Sequence, residues 1–157
     1  MTNFYTLLKA AAFGTVLALA SFTASFADGH SDVEKITEVL RNYESFVNDG
    51  DANGLGGLYT QDSILLPDRF DAFTGQENIT GFYAFAFSAL SLELLFTINA
   101  DEIIVSGDTA YATTTSTGTR MIKETGQTVP EINRELWVFE KVGEDWKIAR
   151  YAFNKSE

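Results

Sequence analysis

Apolar residues first recur at helical spacing. Val33, Ile36, Leu40, Tyr43 and Val47 fall three and four residues apart, with Val39 and Phe46 widening the stripe, so a helix capped by Ser31 or Asp32 is expected. The short polar segment 28–31 before it, with the single histidine His30, is expected to be mobile. Asn48-Asp49-Gly50-Asp51 stops that helix, and Asp51 can cap a second, shorter one over 52–59, where Gly54, Gly56 and Gly57 weaken helix formation. A brief strand over 62–66 ends at Pro67, and 67–74 reads as an irregular loop. A third helix over 75–89 carries Ile79, Phe82, Tyr83, Phe85, Ala86 and Phe87, apolar on nearly every side, as in a helix packed between other elements.

From Leu92 the period changes to two and the segments become rich in β-branched and aromatic residues. Strands are expected over 92–98 with 101–105, 109–121, 133–142 and 146–154, with turns at Ser106-Gly107-Asp108 and Gly143-Glu144-Asp145 and a loop over 123–131. Three helices followed by a mostly antiparallel sheet make an α+β fold. If the sheet curves strongly around the helices it forms a cone, and the open end of a cone suits a small apolar ligand.

The first 27 residues stand apart from this pattern. Lys9 precedes an apolar run over 10–22, and Ser25-Phe26-Ala27 offers small residues where a signal peptidase cuts, so residues 1–27 are read as a secretory signal peptide. The run falls short of the roughly 20 apolar residues that span a bilayer. The expected product is a periplasmic or secreted domain of residues 28–157, free of the membrane once the signal is removed. All 22 acidic residues lie beyond the leader, so the mature part is more acidic than the whole-chain charge of −11. That charge disfavours nucleic acid and anionic membranes as partners. Without cysteine the domain relies on its core, for which the nine Phe, five Tyr and two Trp beyond the leader are ample.

The inventory excludes several chemistries. One histidine and no cysteine leave no Ser-His-Asp or Cys-His site unless His30 takes part, no carboxylate or histidine cluster has metal-ligand spacing, and Thr74-Gly75-Gln76 lacks the lysine of a phosphate loop. No metal or cofactor is expected.

In order and spacing, Gly50-Asp51-Ala52, LYTQDSILLPD, the run from Phe73 to Tyr83, GDTAY and the closing LWVFEKVGEDWKIARYAFN resemble the nuclear transport factor 2-like superfamily, in particular its SnoaL-like and ketosteroid isomerase-like branches. The resemblance covers the whole mature chain and implies a fold that carries many activities. It places Tyr43 where the isomerases hold the tyrosine that donates to a substrate oxyanion, and Tyr59 and Tyr83 where some members hold supporting tyrosines. It places Glu135 where they hold a protonated Asp as second donor. Pro67 occupies the position of their general base. Asp68, next along, would point away from the cavity on a regular strand unless Pro67 makes a bulge.

Tyr43 and Glu135 are thus the candidate catalytic residues, and Tyr59, Asp68, Phe82, Tyr83, Phe87, Trp137 and Tyr151 the candidate ligand-binding ones. Plainer readings stand beside these. Tyr43 can be an ordinary core tyrosine, Glu135 a surface acid paired with Arg120, Arg134 or Arg150, Asp68 and Arg69 a solvated pair, and the aromatics core. The expected function is binding of a small apolar molecule, with any catalysis isomerase-, lyase- or hydratase-like through oxyanion stabilisation. The alternative is a non-catalytic binding or assembly module, and the resemblance implies a homodimer through the exposed sheet face.

Overall fold

A computed structural model describes residues 20–156 of the chain, with side chains from Ser31 onward. Most of the segment expected to be a signal peptide, and the side chain of His30, lie outside the described residues. Three helices, α1 (Ala20–Asp49), α2 (Ala52–Gly57) and α3 (Gln76–Ala89), pack against one sheet. Its strands are β1 (Tyr59–Leu66), β2 (Phe73–Thr74), β3 (Leu90–Ser106), β4 (Thr109–Ile122), β5 (Gln127–Val142) and β6 (Asp145–Lys155), in the order β2-β1-β6-β5-β4-β3. β1 and β6 run parallel and the other pairs antiparallel. The sheet curls around the helices without closing, so the cone is an open wrap with β2 and β3 as edges.

The stripe on α1 is buried as its spacing requires: Ile36 and Leu40 are fully covered and Tyr43 and Val47 nearly so. The helix does not start at residue 31 or 32, and 28–31 lies within α1 rather than ahead of it. Asp32 is therefore not a cap. Its carboxylate instead accepts from Trp146 Nε1 at 2.9 Å and Lys141 Nζ at 3.0 Å, tying α1 to the last hairpin. Burial pulls the Asp32 carboxyl upward, but these bonds outweigh it and hold its pKa below the usual range.

At the other end of α1, Asn48 and Glu44 serve the edge strand β3. Asn48 accepts from Leu94 N at 2.7 Å and donates to Leu94 O at 2.8 Å, and Glu44 accepts from Phe96 N at 2.7 Å. One helical turn matches two residues of strand, so these side chains cover backbone groups that an edge strand would leave unpaired.

Asp51 caps α2 as expected, accepting from Gly54 N at 2.8 Å. α2 ends at Gly57, however, and Tyr59 already begins β1. α3 has one buried side, Ile79, Tyr83 and Phe87, whereas Phe85 is 72% exposed, so it is not enclosed all round. The loop expected over 123–131 shrinks to a turn, because β5 starts at Gln127 and Pro130 sits in the ladder opposite Thr119.

Candidate functional site

Between α1, α3 and the concave face lies a cavity of about 420 Å³. Its wall is largely apolar, from Val47 on α1 through Phe82 and Phe87 on α3 to Leu92, Leu94 and Phe96 on β3. Three phenols interrupt it: Tyr43 from α1, Tyr83 from α3 and Tyr151 from β6.

Their hydroxyls form a network with a fourth. Tyr83 lies 2.8 Å from the Tyr43 hydroxyl and 3.0 Å from that of Tyr59, which sits behind the cavity wall at the start of β1. Either partner of each pair can donate. With Tyr43 and Tyr59 both donating, the Tyr83 proton is left for a third partner in the cavity. Burial pushes the Tyr83 phenol up to about 12, and the bonds from Tyr43 and Tyr59 limit the rise. Tyr43, Tyr59 and Tyr151 are pushed up further, first by burial and then by neighbouring phenols or, for Tyr151, the Glu135 charge. All four are therefore protonated donors at neutral pH, and Tyr83 is the one best placed to stabilise a developing negative charge.

The floor beneath them is Trp137. Fully buried, it stacks on Tyr151 with centroids 3.6 Å apart and meets Tyr43 edge-on at 4.9 Å. Its indole N–H donates to Thr114 Oγ1 at 2.9 Å. Trp137 thus positions two cavity phenols from behind and does not itself line the cavity.

Glu135 is likewise one layer back. It is 4% exposed, and its oxygens accept from Thr114 Oγ1 at 2.5 Å and Ser116 Oγ at 2.6 Å. Thr114 already takes the indole proton, and Ser116 accepts from Asn133 Nδ2 at 3.2 Å, so both hydroxyls direct their own protons at the carboxyl. Burial raises the Glu135 pKa and these two bonds oppose the rise. None of the arginines considered from sequence pairs with it: Arg120 faces Glu131 at 3.5 Å, and Arg150 donates to the carbonyls of Asp62 and Ala149.

Asp68 lines the cavity after all. β1 ends at Leu66, so strand alternation no longer governs residue 68, and Arg69 turns the loop with a φ of 63°. Asp68 and Arg69 pair at 3.3 Å at the mouth, with the Arg69 side chain 82% exposed. Pro67 is buried and offers no proton acceptor.

Of the nine sequence candidates, Tyr43, Asp68, Phe82, Tyr83, Phe87 and Tyr151 border the cavity, and Tyr59, Trp137 and Glu135 support it from outside. Sequence reasoning missed Ser116, Arg120, Glu131, Asn133 and Lys155, which border one end. Alternation backward from Trp137 places 135, 133 and 131 on the same face, and that signal was available. Among the described residues, no group of three or more His, Cys, Asp or Glu could hold a metal, and no helix is long and apolar enough to cross a membrane.

The architecture has relatives among solved structures. A ketosteroid isomerase-like protein from Erwinia carotovora atroseptica superposes with a TM-score of 0.75 at 24% identity, covering 80% of this chain and 97% of that one. A nuclear transport factor 2-like superfamily protein from Salmonella enterica gives 0.71 at 22%, covering 82% and 94%. A proposed dehydratase of the NTF2-like family from Streptomyces avermitilis gives 0.66 at 18%, covering 82% and 98%. At these identities the likeness establishes the fold. No curated protein matches the sequence. The profile of the SnoaL-like domain matches residues 30–152, and the chain therefore belongs to the SnoaL-like domain family.

Proposed function

We propose that this protein binds a small, mostly apolar molecule in the cavity, with a carbonyl or phenolic oxygen of the ligand accepting from Tyr83, whose own oxygen accepts from Tyr43 and Tyr59. The observation that carries this reading is a network of buried phenols opening onto an apolar cavity of about 420 Å³, within the size range of small-molecule sites. Glu135 acts here as a positioning residue, holding Ser116 and Thr114 and through Thr114 the indole beneath Tyr43 and Tyr151. Any turnover is isomerase-, lyase- or hydratase-like, with oxyanion stabilisation as its main device. With proline at 67, Asp68 at the mouth is the candidate to move a proton. The leader supports an exported, periplasmic or secreted protein.

A second reading, a non-catalytic binding or assembly module, has its own support. Leu95, Ile104, Tyr111 and Leu136 are each more than two-fifths exposed and share the outer face of β3, β4 and β5. Such a face suits a homodimer partner.

Thermal unfolding in the presence of bicyclic ketones and phenols tests the first reading. A ligand at 100 times its dissociation constant adds about 2.7 kcal/mol of stability. Stabilisation of the wild type that shrinks in Tyr83→Phe and Tyr43→Phe is expected. If no such compound stabilises the protein, while charges placed at Leu136 and Tyr111 abolish a dimer, the assembly reading replaces it.

A further inference from the structure

One end of the cavity differs chemically from the rest. Its residues are Ser116 and Arg120 on β4, Glu131 and Asn133 on β5 and Lys155 on β6. Strand pairing gathers them, since Asn133 lies opposite Ser116 on one side and Lys155 on the other, while Glu131 lies opposite Gly118, two residues from Arg120. Lys155 Nζ donates to Glu131 Oε2 at 3.0 Å, and Arg120 Nε stands 3.5 Å from the same oxygen. One carboxylate thus faces two cations, and the other acid near this end, Glu135, lies behind Ser116 with its pKa raised by burial.

Two buried polar atoms here have no hydrogen-bond partner: Arg120 Nε, a donor, and Asn133 Oδ1, an acceptor. The amide orientation of Asn133 follows from its neighbours. Ser116 gives its proton to Glu135 and so accepts from Asn133 Nδ2, which leaves Oδ1 as the unused atom. Asn133 is only 5% exposed and borders the cavity. Buried polar atoms in native proteins are almost always paired. Water can fill both positions separately, whereas one ligand head that brings an acceptor to the Arg120 and Lys155 cations and a donor to Asn133 fills them together.

We propose that this end is a subsite for the head of an amphipathic 2-hydroxy acid, its carboxylate held by Arg120 and Lys155 and its hydroxyl donating to Asn133. The proposal rests on the cavity being a ligand site, and adds the class of ligand. The apolar part of the acid lies along Phe82, Phe87 and Leu92, and an oxygen further along the molecule can still reach Tyr83.

Calorimetric titration of the whole protein with 3-phenyllactate, 3-phenylpropanoate and methyl 3-phenylpropanoate tests it. Phenyllactate is expected to bind tightest, the deoxy acid more weakly, and the uncharged ester about tenfold or more below phenyllactate, because charge-assisted hydrogen bonds are the strong ones. Arg120→Gln should weaken both acids about tenfold and leave the ester unchanged, and Lys155→Gln gives the same comparison should Arg120→Gln fail to fold. An ester that binds as tightly as the acids overturns the subsite while leaving the cavity reading intact. Equal binding of the two acids overturns the part assigned to Asn133. If none of the three binds, both this proposal and its claim on the cavity fall, whereas binding of bicyclic ketones alone removes only the acid subsite.

Discussion

Trp137→Phe separates floor from wall. The change removes the pyrrole edge of a fully buried indole, about as many heavy atoms as Leu→Ala, which costs about 2–5 kcal/mol in a core. It also removes the indole donor to Thr114, a bond worth about 0.5–1.5 kcal/mol net. Thr114 loses only an incoming bond, since its own proton still goes to Glu135, so no buried donor is stranded. Part of the stack on Tyr151 survives with a phenyl ring. The expected total is about 3–5 kcal/mol of stability. Urea unfolding followed by circular dichroism reads it as a lower midpoint at unchanged slope. Binding of any ligand by the folded variant should fall only modestly, because Trp137 stands behind Tyr43 and Tyr151. A loss of stability under about 1 kcal/mol, or abolished binding in a variant of native stability, would refute the placement of Trp137 as floor.

Two further perturbations follow from the same geometry. At Gly118 an added Cβ would stand 1.8 Å from the Glu93 carbonyl oxygen on the neighbouring strand, a backbone atom that cannot swing aside, so Gly118→Ala should cost at least the upper part of the usual overpacking range of about 1–3 kcal/mol; a neutral effect on the urea midpoint would contradict the close approach of β3 and β4. Glu135 has a raised folded pKa, so its contribution is fully present below the unfolded carboxyl value of about 4.3 and is lost as pH rises through the folded pKa. Stability of the wild type measured against Glu135→Gln should therefore decline as pH rises above about 4.3, and a wild type that gains on the variant over that range would contradict the burial account.

Much of this architecture was legible because local and global signals agree. The stripe Ile36, Leu40, Tyr43 and Val47 has helical spacing and is buried, and Gly50, Gly107 and Gly143 each take the positive φ their turns require. The start of β5 was hidden for a physical reason. Its inward residues Glu131, Asn133 and Glu135 are polar while Ile132 and Leu136 face out, 40% and 49% exposed, so the usual sign of the alternation is inverted. Pro130 reinforced the loop reading, and the strand accommodates it where its missing N–H is tolerated. The same inversion concealed the polar end of the cavity.

The candidate tyrosines were legible from resemblance, yet which hydroxyl is central was not. Tyr83 takes that place because α3 carries it between Tyr43 and Tyr59, a relation of three separate elements that no spacing in the chain encodes. Asp68 stood between two readings, a ligand-binding loop residue and a strand residue pointing away, because the chain does not announce whether strand geometry continues past Pro67; β1 ends at Leu66.

The central claim is that buried phenols present a proton to a ligand oxygen inside an apolar cavity. Its most direct test is calorimetric comparison of a bicyclic ketone with the hydrocarbon of the same shape, on wild type and on the Tyr43→Phe, Tyr83→Phe double variant. The account predicts that the wild type favours the ketone by about two- to twelvefold, the worth of one net hydrogen bond, and that the double variant abolishes the preference. Equal affinity of the two compounds for the wild type would contradict it.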